Sequence, residues 1–162
     1  MSVNRYQPHV LVLPEDDANR QLANGFLLDQ DLSTWGIQVL VEAGGWSDVL
    51  EHFLLDHVVE MDRYPDRFMI LLIDFDGREE RLPYAKSRIP ERLTDRVFIL
   101  GAFTEPEALK ADLGSYEAIG LELARDCREE TNKTWGHPLL RHNTSELDRL
   151  RASVRPILFP SN

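Results

Sequence analysis

The chain of 162 residues is short of cysteine, of cationic side chains and of long apolar runs. One cysteine, Cys127, excludes an internal disulfide and any cysteine-cluster metal site, and it fits a reducing, cytoplasmic setting. No apolar run approaches the ~20 residues that span a bilayer, so no membrane role is expected. The opening Met1-Ser2-Val3-Asn4-Arg5-Tyr6 lacks the apolar centre of a signal peptide. Lys and Arg number 18 against 28 Asp and Glu, a formal net charge of −10. That balance argues against tight independent binding to nucleic acid, whose affinity comes mainly from cations. There is no internal repeat, no low-complexity tract, no Gly-rich phosphate loop and no serine nucleophile elbow.

What is present is a globular mixture, 43% hydrophobic and 28% charged, sized for one domain over 1–162. His9–Leu13 reads as a buried strand closed by Pro14, followed by apolar residues at helical spacing (Leu22, Ala23, Phe26, Leu27), with Asp16 or Asp17 as N-cap. Ile37–Val41 is a second strand, stopped by Gly44-Gly45. Trp46, Val49, Leu50, Phe53, Leu54 and Met61 mark an amphipathic helix, which Tyr64-Pro65-Asp66 ends. Phe68–Ile73 and Val97–Leu100 are the third and fourth strands, with a polar segment of helix or irregular turns between them over Gly77–Arg92. A helix start at Glu105-Pro106-Glu107 and helices over Tyr116–Glu130 and Ser145–Val154 complete the pattern. Unalternating strands separated by helices predict a three-layer, Rossmann-like α/β domain with a mainly parallel sheet of about four strands. Residues 113–162 read as a helical C-terminal extension of a 9–112 core.

Sites in such sheets lie beyond the carboxyl ends of the strands. Glu15 stands just past the first strand, and Asp74 and Asp76 at the tip of the third. In extended backbone the two aspartates share a face, with Gly77 permitting a tight turn. If the first and third strands are neighbours, Glu15 converges on them, and clustered carboxylates are stabilised by a hard cation such as Mg²⁺ or Mn²⁺. Acids also gather at helix N-termini because the dipole favours them, and this is the preferred reading of Asp16 and Asp17.

At these residues the chain resembles the Toprim family, the metal-binding fold of topoisomerases, bacterial primases and OLD-type nucleases. Leu13-Pro14-Glu15-Asp16-Asp17-Ala18 and Leu72-Ile73-Asp74-Phe75-Asp76-Gly77-Arg78 match its two motifs in order, over residues 9–112. Gly101 with Glu105-Pro106-Glu107 is similar to the segment after the fourth strand in small stand-alone bacterial Toprim-like proteins, some associated with ATPases. The resemblance implies Glu15, Asp74 and Asp76 as catalytic and metal-binding residues, with Glu107, or else Glu105, as a further ligand. It also implies phosphodiester chemistry on nucleic acid within a larger complex, with an ATPase or other protein partner. Asp16 stands where the family commonly has glycine, and Arg78 where topoisomerases carry a further acid. No tyrosine-bearing breakage domain or primase zinc domain is present in the sequence.

Arg78, Arg81, Lys86 and Arg88 form the nearest approach to a basic, nucleic-acid-facing patch, though Glu79, Glu80 and Glu91 interleave with it. Two other readings remain. In one, the fold is a non-catalytic interaction module, free to form a homo-oligomer. In the other, it resembles a receiver domain, with Asp74 as phosphoacceptor, Asp16 and Asp17 binding Mg²⁺, and Lys133 the poor candidate for the lysine beyond a fifth strand. His52, His57, His137, His142 and Trp46 read as boundary, loop or core residues, and Cys127 as a buried thiol.

Overall fold

A computed structural model describes residues 2–160. Strands β1 (His9–Pro14), β2 (Ile37–Val39), β3 (Arg67–Leu72) and β4 (Val97–Leu100) form one sheet in the order β2-β1-β3-β4. All three pairings are parallel, with Val10 beside Ile37, His9 beside Arg67 and Met69 beside Val97.

Apart from His9, Gln38 and Arg67, every strand residue is apolar, because both faces of the sheet are covered. Val10, Val12, Ile70, Phe98 and Leu100 point to one core, completed by α1 (Asp17–Phe26), α6 (Tyr116–Glu129) and α7 (Thr144–Leu158), with Leu109 from α5 (Pro106–Leu113). Leu11, Leu13, Met69, Leu71, Val97 and Ile99 point to the other, filled from α2 (Trp46–His52), α3 (Val58–Arg63) and α4 (Arg81–Arg88). The three-layer α/β architecture is therefore as the patterning predicts. The helices of 113–160 do not stand apart from it, since α6 and α7 build much of one outer layer.

The crossing of α1 and α6 depends on glycine. A Cβ placed on Gly25 would lie 2.2 Å from the Glu117 carbonyl oxygen, and one on Gly120 would lie 2.0 Å from that of Leu22. The two backbones approach closely enough that no side chain fits between them.

Local differences from the sequence reading have identifiable causes. The segment 46–63 is not one uniform α-helix, because a π-helical turn over Phe53–His57 joins α2 to α3. β2 ends at Val39, although the Leu40 amide still donates to the Val12 carbonyl. α7 runs to Leu158 with Pro156 inside its last turn, which forgoes the bond that an amide there would give to the Ala152 carbonyl. The polar segment after Gly77 holds α4 and a 3₁₀ turn over Glu91–Arg96.

Candidate metal centre

β1 and β3 lie side by side and parallel, so their carboxyl ends deliver Glu15 and Asp74 to the same point. The Glu15 amide donates to the Leu72 carbonyl at 2.9 Å, continuing the ladder, while its own carbonyl accepts from Gly44 at 2.8 Å. Its side chain is buried, and Oε2 accepts the Asp74 amide at 2.8 Å. Asp16 is the N-cap of α1 and accepts the Asn19 amide at 2.9 Å. Ligand oxygens of Glu15, Asp16 and Asp74 all lie within 4.8 Å of one another.

Asn19 joins them. Its Nδ2 donates to Asp16 Oδ1 at 3.0 Å and to Asp74 Oδ1 at 2.9 Å, while its buried Oδ1 has no hydrogen-bond partner among the described residues. Sequence reading overlooked Asn19. The available signal was its place three residues after an N-capping aspartate, where a polar side chain returns over the helix start.

Burial raises the proton affinity of two of the clustered carboxyls. Burial, and then the neighbouring charge of Asp74, push the Glu15 carboxyl up to about 8. Burial likewise raises Asp74 to about 6, against the bond from Asn19. None of the three acids forms an ion pair with Lys, Arg or His among the described residues. A set of hard oxygen donors without a protein counter-charge suits a divalent cation of the Mg²⁺ or Mn²⁺ kind.

Asp76 lies apart from this group. The backbone is not extended through it: Asp76 has φ 51° and Gly77 φ 70°, and the Arg78 amide donates to the Phe75 carbonyl at 2.9 Å. Two positive φ values within a four-residue turn are the type I′ signature, for which Asp-Gly is a favoured pair. The turn directs Asp76 to Arg81 Nη1 at 2.7 Å, with the carboxylate side chain half exposed. Asp76 therefore does not share a face with Asp74, and Asp16 takes the third place in the cluster. Glu107 is exposed on the first turn of α5 and is not among the converging acids, and Glu105 is the exposed N-cap residue of the same helix. Both still contribute, after burial, to raising the Tyr116 phenol, as do Asp16 and Asp74.

The basic segment divides in the same way. Arg81 is buried; it donates to the Asp74 carbonyl at 2.8 Å and stacks over Trp46 at 4.2 Å, so it anchors the turn and does not face a nucleic acid. Lys86 reaches Glu146, which is buried at the start of α7, at 2.8 Å. Arg78 and Arg88 are exposed, the first beside Glu80 at 3.6 Å and the second bonded to the Tyr84 hydroxyl at 2.9 Å.

Against protein-family models, curated proteins and solved structures, the chain matches none. The remaining candidates are quickly placed. Cys127 is buried, which pushes its thiol up to about 11, well away from nucleophilic character. His137 Nε2 lies 2.9 Å from Asp112, and His142 packs between Phe75 and Phe103. His52 is exposed and His57 half-buried. Lys133 belongs to a turn whose amides converge on Asp126, not to a strand. No described helix is long and apolar enough to cross a membrane.

Proposed function

We propose that the chain carries out Mg²⁺- or Mn²⁺-dependent hydrolysis of phosphodiester bonds in nucleic acid, as a Toprim-like nuclease acting within a larger complex. The observation that carries this reading is the convergence of Glu15, Asp16 and Asp74 at the carboxyl ends of adjacent parallel strands. A cation held there supplies Lewis-acid activation of water and of a phosphoryl oxygen. Glu15 and Asp74 would hold it, with Asp16 as the third ligand and Asn19 fixing the orientation of both aspartates. Arg81 keeps the turn after β3 in place through the Asp74 carbonyl and Asp76. To hold the cation, Glu15 would give up the proton that its burial favours, so metal binding would be linked to pH. Arg78 and Arg88 are the exposed cations left to meet a polynucleotide backbone. With a net charge of −10, most of the affinity for that backbone must come from a partner, of which an ATPase is the kind that the resemblance implies.

The test pairs calorimetric titration with Mn²⁺ and cleavage of single- and double-stranded DNA and RNA. Wild type is expected to bind Mn²⁺ and cleave at least one substrate, and Asp74→Asn is expected to lose cleavage by about 100-fold or more, the order of magnitude for removing a principal electrostatic contact. Equal cleavage by the two proteins refutes catalysis at this cluster. Absence of Mn²⁺ binding at millimolar concentration favours a non-catalytic interaction module instead.

The pairing of Glu15 and Asp16 with Asp74 also favours a receiver-like phosphoacceptor as a second reading. Among the described residues, however, the sheet has four strands and no fifth to present a lysine. Beryllofluoride is accordingly expected to leave Asp74 free, and a stable adduct there would reverse the ranking.

A further inference from the structure

The opposite end of the sheet, at the amino ends of β1 and β3, has the reverse electrostatic character. There the N-terminal arm folds across the turn before β3: Arg5 Nη1 donates to the Tyr64 hydroxyl at 3.1 Å, and Tyr6 meets Tyr64 edge-on with ring centroids 5.9 Å apart. Arm, turn and the end of α3 line an open cleft of about 330 Å³ formed by Arg5, Tyr6, Arg63, Tyr64, Pro65 and Asp66. The volume falls within the range of small-molecule sites. β1 separates it from the acidic cluster by about 20 Å, the length of a six-residue strand.

Cations outnumber acids around this cleft. Arg67 is buried, with its guanidinium 5.1 Å from the centre of the Tyr64 ring. Its Nε donates to His9 Nε2 at 2.9 Å, and it forms no ion pair among the described residues. Arg96 likewise meets only carbonyl oxygens, those of Met61, Tyr64 and Arg67. Arg63 has Glu60 at a loose 3.8 Å, its side chain mostly in solvent. The acids nearby are Asp66 on the wall, Glu60 on α3, and Asp62, which is already paired with Arg92 at 2.8 Å. Arg5 and Arg63, which line the cleft, are the donors that an anion meets there, and on the wall itself only Asp66 opposes them.

We propose that this cleft binds a mononucleotide, with its phosphate between Arg5 and Arg63 and its base against the exposed ring of Tyr6. Arginines supply forked donors for phosphate oxygens, and a tyrosine with a free face supplies a stacking surface that any base can use. The site is independent of the metal centre and needs no cation.

Titration of the full chain with AMP in EDTA, followed by calorimetry and amide NMR shifts, tests the assignment. The expected Kd is about 0.1–1 mM, typical of a small, open site, with shifts centred on Arg5, Tyr6 and Arg63–Asp66. Adenosine and inorganic phosphate should each bind about tenfold more weakly. Arg63→Glu, at an exposed position that does not threaten folding, should weaken AMP about tenfold or more, as should the double variant Arg5→Ala/Arg63→Ala. Asp74→Asn should leave the affinity unchanged. No saturation by about 5 mM AMP overturns the proposal. So does wild-type affinity in Arg63→Glu, equal binding of inorganic phosphate, or loss of binding in Asp74→Asn.

Discussion

Glu15→Gln offers the sharpest test of how the acidic cluster is built. Without a cation, Glu15 is a buried carboxyl whose Oε2 accepts the Asp74 amide, and its affinity for protons is raised from an ordinary value near 4.5 to about 8. The folded state therefore holds a proton that the unfolded chain has already released. Stability from this group is complete at acid pH and is lost as pH rises towards about 8 and beyond. At 1.36 kcal/mol per pH unit, the displacement sets a ceiling of about 5 kcal/mol. Water reaching the rim through half-exposed Asp16 lowers the loss to roughly 2–3 kcal/mol, or about 4–12 °C in Tm for a chain of this size. Glutamine keeps an acceptor for the Asp74 amide and cannot ionise. Thermal unfolding in EDTA from about pH 5.5 to about pH 9 should thus show wild type falling and Glu15→Gln nearly level through the Glu15 window. Mn²⁺ should restore wild type most strongly at the alkaline end, because it binds the deprotonated form, and should restore the variant little. Parallel curves for the two proteins in EDTA would refute the burial of Glu15 against Asp74.

Three further outcomes probe what supports the centre. Gly120→Ala places a carbon 2.0 Å from the Leu22 carbonyl oxygen, so α1 and α6 must separate. The expected loss is about 3 kcal/mol, or roughly 6–12 °C in Tm by calorimetry, and an unchanged Tm would mean that the helices do not cross this closely. Arg81→Met removes the partner of Asp76 and of the Asp74 carbonyl and should cost about 2–3 kcal/mol in urea unfolding. Asp76→Asn should change Mn²⁺ affinity less than about threefold, because Asp76 is not in the cluster; a larger loss would return Asp76 to the ligand set.

Much of the framework was legible because it rests on local or periodic signals. Six apolar residues ending at Asp74, and five ending before Glu15, mark buried strands whatever surrounds them. The N-cap at Asp16 follows from one side chain and the first turn of α1. The placement of Asp76 failed because two local rules compete over Asp74-Phe75-Asp76-Gly77. Strand alternation gives the aspartates one face, whereas Asp-Gly prefers the left-handed turn, and the turn prevails once β3 has ended at Leu72. Arg81 shows a different limit. In sequence it is one cation among several, and only the packing of Trp46, 35 residues earlier, makes it a buried anchor. Asn19 is similar, since its second contact lies 55 residues away, just past the end of β3.

The glycine crossing also has a consequence in time. Gly25 leaves the ribosome about 95 residues before Gly120, which at ~5–20 residues per second is roughly 5–20 s. Throughout that interval α1 lacks the helix that covers it, and the face of β1 beneath them lacks its full apolar cover. Asp16 and Asn19 belong to the start of that helix, so the metal centre can assume its geometry only after α6 has been made. A nascent chain stalled before α6 should bind no cation at these acids, however complete its sheet.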